Sequence, residues 1–95
     1  MRELIAKYIP RADDAQAEKF IRYFELLVLW NQKMNLTAIT EPEEVVAKHF
    51  ADSLLPADLI PLNARCIDVG TGAGFPGVPL LIMRPDLHMT LLDSL

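Results

Sequence analysis

The residues best suited to chemistry lie in one string, Asp68-Val69-Gly70-Thr71-Gly72-Ala73-Gly74-Phe75-Pro76-Gly77, and in Asp93 beyond it. All four glycines of the 95-residue chain fall within positions 70–77, so the backbone has a requirement there that it has nowhere else. Glycine permits sharp turns, positive φ and the close approach of bare backbone to a ligand. A helix that starts just after such a loop presents unpaired N–H groups and a partial positive charge, suited to a carboxylate or phosphate. Asp93 follows Gly72 by 21 residues. At that spacing an acidic side chain at a strand end accepts hydrogen bonds from the hydroxyls of an adenosine ribose. The competing readings are a purely structural turn and a solvated strand end.

The same residues narrow the choice of cofactor. No Gly-Lys-Ser/Thr closes the loop, which excludes a nucleoside-triphosphate cradle. Gly72-x-Gly74-x-x-Gly77 fits the dinucleotide fingerprint, so an NAD-type fragment is one alternative. Asp68 speaks against it, because a carboxylate two residues before the first glycine repels a pyrophosphate. That charge suits a cofactor carrying an ammonium and a sulfonium. S-Adenosylmethionine has both, with one carboxylate and no phosphate.

The elements that must position these residues read as two compositional parts. Residues 1–60 hold no glycine and read as a helical region. A first helix, Arg2 to Ile9, stops at Pro10. Asp13 and Gln16 form a capping box that opens a second helix, with Phe20, Ile21, Phe24, Leu27 and Val28 in one stripe. Leu26, Leu29 and Trp30 widen that stripe and predict burial on more than one side; Asn31, Asn35 and Thr37 mark the exit. Thr40 with Glu43, and Pro42 in the first turn, predict a second capped helix with Val45, Val46, His49, Phe50 and Leu54 on its inner face. Pro56 and Pro61 enclose a short connector.

Residues 61–95 change period. Arg65 to Val69 reads as a buried strand, Val78 to Met83 as a helix apolar nearly all round that Pro85-Asp86 ends, and His88 to Asp93 as a second strand. On that strand Met89 and Leu91 share one face, Thr90 and Leu92 the other. Strand, glycine loop, helix and strand make a βαβ unit with parallel strands.

The string from Asp68 to Gly77 resembles the first motif of class I S-adenosylmethionine methyltransferases. Its continuation, Phe75-Pro76-Gly77-Val78-Pro79-Leu80, is similar to the glucose-inhibited division protein B family. Trp30-Asn31 with Asn35-Leu36-Thr37, His49-Phe50-x-Asp52-Ser53-Leu54, and Leu91-Leu92-Asp93-Ser94 follow in family order. The resemblance implies an α/β chain: the N-terminal part of a Rossmann-like methyltransferase fold, with one βαβ unit behind a helical extension. It implies transfer of a methyl group from S-adenosylmethionine to N7 of a guanine in 16S ribosomal RNA. It also implies that Gly70 and Phe75 contact the cofactor, with Asp68, Thr71, Gly72 and Gly74 alongside them and Asp93 on the ribose. The family's further strands and helices lie beyond Leu95, so these 95 residues are expected to be a fragment without activity of their own.

The remaining candidates are weaker. His49 and Asp52, three apart, touch RNA or the cofactor, or simply satisfy a core helix. Asn31 and Asn35 read as a helix-end hydrogen-bonding pair, Trp30 as core, and Cys66 as a small buried hydrophobe. No residue is assigned as catalytic, because a guanine N7 already carries its lone pair. No metal is expected, since the single cysteine excludes a cysteine cluster as well as an internal disulfide. A hydrophobic content of 52% with 23% charged residues excludes disorder, and a net charge of −4 argues against a nucleic-acid packaging protein. The absence of a signal segment or apolar span, with no disulfide framework, predicts a soluble cytoplasmic chain. The alternative outside enzymology is a helical binding module whose glycine loop is a vestige.

Overall fold

A computed structural model describes residues 1–34, 41–69 and 77–92. Helix α1 spans Arg2–Tyr8 and α2 spans Asp14–Met34. Helix α3, Pro42–Glu44, runs directly into a π-helical segment, Val45–Ala51, and a 3-10 turn follows at Ala57–Leu59. Strand β1 is Arg65–Val69, helix α4 is Gly77–Met83 and strand β2 is His88–Leu92. The two strands are adjacent and parallel, with Arg65 opposite His88 and Val69 opposite Leu92. The chain is therefore a small α/β unit in which helices precede a βαβ arrangement.

Local chemistry accounts for most of the boundaries. The capping box closes as the spacing predicts: Gln16 N–H donates to Asp13 Oδ1 at 2.8 Å, and Asp13 N–H to Gln16 Oε1 at 2.9 Å. The second cap sits one residue later than Thr40, which lies outside the described residues. Glu41 is the N-cap and accepts from the Glu44 N–H at 3.2 Å, with Pro42 in the first turn. A proline disfavours helical backbone in the residue before it, and Glu41 accordingly adopts φ −66°, ψ 128°. Asn63 takes up positive φ, 58°, in the turn before β1, a conformation asparagine tolerates better than most residues.

The buried core runs through both parts of the chain. Ile5, Phe20, Val46 and Phe50 are the most enclosed, and Leu80, Ile82 and Leu87 of the βαβ unit join the same cluster. The Phe50 ring lies 5.2 Å from Phe20 and 5.3 Å from Tyr23, nearly parallel to the latter at 15°. The π-helical segment explains how Val45 and Phe50 both enter that core. In a 3.6-residue turn, positions five apart diverge by roughly 140°. Hydrogen bonds running i→i+5 widen the turn and reduce that divergence, so both lie on one face.

Three burial expectations are corrected. Leu26 and Leu29 are exposed, 36% and 51%, so among the described side chains α2 turns these leucines away from the core. Strand β1 is not buried on both faces: Cys66 and Asp68 are half-buried, whereas Ile67 and Val69 are 66% and 77% exposed. The described elements cover one side of this two-stranded sheet and leave the other open. Cys66 is likewise half-buried rather than enclosed.

Arg84 ties the two parts together. Its guanidinium grips the Asp86 carboxylate through Nε and Nη2, both at 2.8 Å. The remaining donors reach the carbonyls of Ala57 at 2.6 Å, Ile60 at 3.0 Å and Pro61 at 3.2 Å. Asp86 also accepts the Asn63 N–H at 2.9 Å. Hydrogen bonds from Arg84 and then Asn63 hold the Asp86 carboxyl well below its ordinary 3.8. A depressed carboxyl contributes stability above its unfolded value and loses it as pH falls through the folded one. Asp86→Asn is therefore expected to lower the melting temperature at pH 7 and to converge on the parent protein in acid. A thermal-melt series from pH 7 to pH 2 reads this directly; an unchanging difference across the series would contradict it.

Candidate functional site

The carboxyl ends of β1 and β2 lie side by side at Val69 and Leu92. The chain continues from these paired ends into residues 70 and 93, which begin two stretches outside the described residues, 70–76 and 93–95. Open parallel sheets hold ligands at such an end, beyond the strands, where the next helix begins. The site can therefore be built from what frames it: Asp68 on β1, Gly77 at the start of α4, Leu91 on β2 and Tyr23 on α2.

Asp68 is the central group. Its Oδ2 accepts the Gly77 N–H at 2.8 Å, joining the end of the first strand to the first residue of the following helix. Gly77 is buried, and its lack of a side chain is a packing requirement. A Cβ built there would lie 2.3 Å from Leu91 Cδ2 and 2.9 Å from Asp68 Oδ2. Both distances are shorter than real Cβ contacts allow. The third glycine of the fingerprint thus permits close approach of helix and strand. A cavity of about 110 Å³ opens beside this junction, lined by Ile60, Cys66, Ile67, Asp68, Gly77, Leu80 and Met89.

The helical region reaches the same junction through Tyr23. Burial pushes the Tyr23 hydroxyl well above its ordinary 10.0, and the Asp68 carboxylate adds to that shift. Tyr23 is half-buried and stacked on Phe50, and stays neutral at physiological pH.

Of the site residues expected from sequence, the structure describes Asp68. Gly70, Thr71, Gly72, Gly74, Phe75 and Asp93 lie outside the described residues, as do Asn35 and the side chain of Trp30. The motif around His49 resolves into different duties. Phe50 and Leu54 are core, Asp52 is exposed, His49 is half-buried, and the Ser53 hydroxyl donates to the His49 carbonyl. Sequence reasoning did not single out Tyr23, whose position beside Phe24 on an apolar helix suggested nothing beyond packing. It did include Gly77 in a fingerprint, and that spacing was the available signal for its packing role.

Several cations are already paired with acids. Arg2 meets Asp14 and Glu18, Lys7 meets Glu43 at 3.1 Å, Arg11 meets Asp58 at 3.0 Å, and Arg22 meets Glu25 at 3.8 Å. Glu43 also accepts from the Tyr8 hydroxyl at 2.8 Å; that bond first, and Lys7 second, hold its carboxyl below the ordinary value. Among the described residues, no group of three or more His, Cys, Asp or Glu is placed to hold a metal ion. No described helix is long and apolar enough to cross a membrane.

Comparison with known proteins adds an independent line. Residues 16–95 match the family model described as rRNA small subunit methyltransferase G. A Streptococcus pneumoniae protein named ribosomal RNA small subunit methyltransferase G is 52% identical over 95 residues, which is 97% of this chain and 40% of that protein. A Clostridium beijerinckii protein of the same name is 57% identical over 82 residues, 84% of this chain and 34% of its own length. One from Desulforamulus reducens is 54% identical over 82 residues, with the same two shares. The chain thus spans about two-fifths or less of the length of these relatives.

Proposed function

The chain belongs to the rRNA small subunit methyltransferase G family, and from that premise we propose that it is the N-terminal part of an S-adenosylmethionine-dependent enzyme. The substrate in this reading is small-subunit (16S) ribosomal RNA, methylated at N7 of a guanine in the cytoplasm. Residues 1–60 form the helical region and residues 61–95 begin a Rossmann-like cofactor domain. The observation that carries the cofactor assignment is the half-buried Asp68 at the paired carboxyl ends of β1 and β2. A carboxylate in that position favours a cationic cofactor and disfavours a pyrophosphate.

The residues present suit such a cofactor. Asp68, Gly70, Thr71, Gly72, Gly74 and Phe75 make its loop, and Asp93 accepts the ribose hydroxyls from the neighbouring strand. When bound, S-adenosylmethionine supplies a methyl group on a positively charged sulfur. The guanine N7 brings its own lone pair, so no residue of this chain is needed as a general base. Catalysis then rests on holding the two reactants in line, and the rigid scaffold of β1, β2 and α4 is what this part of the protein contributes. Arg2, Lys7, Arg11, Arg22 and Arg84 are each paired with a carboxylate. In this reading most of the basic surface for RNA lies in the rest of the enzyme, and residues 1–95 alone transfer no methyl group.

Isothermal titration of the intact protein with S-adenosylmethionine and with NAD tests the cofactor assignment. Saturable binding of the methyl donor with no heat from NAD is expected. Binding of NAD without the methyl donor would overturn it in favour of a dinucleotide site.

A further inference from the structure

The open side of the two-stranded sheet changes character along the strands. Successive side chains of a strand point to opposite faces, and the register sets Arg65 beside His88, Ile67 beside Thr90 and Val69 beside Leu92. All six are exposed, Ile67 by 66%, Val69 by 77% and Leu92 by 48%. Leu91 falls on the other face, where its side chain fills the space beside Gly77. The open face is therefore apolar toward the carboxyl ends of the strands, with Arg65 and His88 side by side at the amino ends. Neither of those two takes part in an ion pair among the described residues.

Parallel sheets occur almost only with both faces covered. We infer that a helix from beyond residue 95 of the same protein packs on this face, with apolar side chains over Ile67, Val69 and Leu92 and a carboxylate over Arg65. This rests on the reading of residues 1–95 as the N-terminal part of a longer enzyme, supported by their match to 40% of a relative's length.

The composition of the face selects this occupant. A second copy of the chain would bring the same six residues, none of them acidic. Stacked either way round, it would set Arg65 against apolar side chains or against another Arg65, with no anion to offset the buried charge. An RNA phosphate would pair with Arg65 but would leave Ile67, Val69 and Leu92 as an uncovered apolar patch. An amphipathic helix serves both ends. Arg65 and Val69 are the two ends of β1, about 13 Å apart on an extended strand. A helix laid along the strands covers that length in about nine residues. Its acid therefore lies roughly two turns from the far end of its apolar stripe.

Side-chain footprinting of the intact protein, read by mass spectrometry against the urea-unfolded chain, tests the cover. Ile67 and Val69 are expected to lose nearly all their labelling on folding, with the protein monomeric and free of RNA. Labelling that persists overturns the inference. Protection that appears only on self-association, or only with RNA present, gives the face to that partner and overturns it equally. Arg65→Gln tests the acid. Leaving a buried carboxylate unpaired should lower the melting temperature of the intact protein by about 10 °C. A shift below about 2 °C, that of a solvated surface residue, overturns the acid even where Ile67 is protected. Should Arg65→Gln fail to fold, Arg65→Lys keeps the charge and is expected to fold; a lysine variant that fails as well overturns the ion pair. A protein that labels guanine in ribosomal RNA while Ile67 stays open keeps the functional reading and loses the cover. One that protects Ile67 but binds no methyl donor does the reverse, so the two failures are distinguishable.

Discussion

Phe50→Ala lowers the stability of the protein by about 3–5 kcal/mol, the range for a large aromatic removed from a packed interior. Phe50 has no exposed surface, and its ring lies against both Phe20 and Tyr23. These contacts join α2 to the π-helical segment, and the cluster continues to Leu80 and Ile82 of α4. Its truncation leaves a cavity at the junction of the helical region and the βαβ unit. Net folding free energies are about 5–15 kcal/mol for domains of ordinary size, so the loss removes a large share of the total. Chemical denaturation measures it: the midpoint should fall with little change in slope. Phe50→Leu, which keeps most of the volume, is expected to cost roughly half as much or less. A loss below about 1 kcal/mol for the alanine variant would mean that the ring is not at the centre of the core.

Gly77→Ala is the second substitution expected to have a large effect, and it adds only a methyl group. The new Cβ meets Leu91 Cδ2 at 2.3 Å and Asp68 Oδ2 at 2.9 Å. Leu91 is 40% exposed and its side-chain end can turn away. Asp68 cannot withdraw without stretching the bond it accepts from Gly77 itself. The expected destabilisation is about 1–3 kcal/mol, as for other groups forced into filled space. Adding Leu91→Ala should recover only part of that loss, because the clash with Asp68 remains. Full recovery in the double variant would show that Leu91 alone excludes a side chain at position 77. A stability unchanged by Gly77→Ala would show that helix and strand are not in close contact.

The features legible in the sequence were those fixed by neighbours in the chain. Asp13 and Gln16 announce a reciprocal cap because the interaction is three residues long, and the structure forms it. The order of strand, helix and strand was equally legible from the change of period at Arg65, and the strands are parallel. The π-helical turn was not, because Val45, Val46 and Phe50 are apolar at spacings that an ordinary helix also permits.

Partnerships across the fold were hidden for the same reason. Arg84 looks like one scattered cation, yet it binds carbonyls 23 to 27 residues earlier. Nothing in the types of Ala57, Ile60 and Pro61 marks their carbonyls as acceptors. Ile67 and Val69 misled in the opposite direction. A short apolar run predicts a strand covered on both sides, but burial depends on the second layer, and among the described elements only one side has it. At the site, the string around the glycines drew attention to Asp68 and Gly77, whereas the electrostatic influence of Asp68 on Tyr23, more than 40 residues earlier, required the tertiary fold.

Methyl transfer itself provides the most direct test of the central claim. The intact protein is incubated with methyl-labelled S-adenosylmethionine and small-subunit ribosomal RNA lacking the modification, and the digested RNA is resolved by nucleoside. Label in 7-methylguanosine from the small-subunit RNA, with none when residues 1–95 are used alone, is the predicted result. A folded protein that binds the methyl donor but leaves the RNA unlabelled, or labels a different nucleoside, would contradict it.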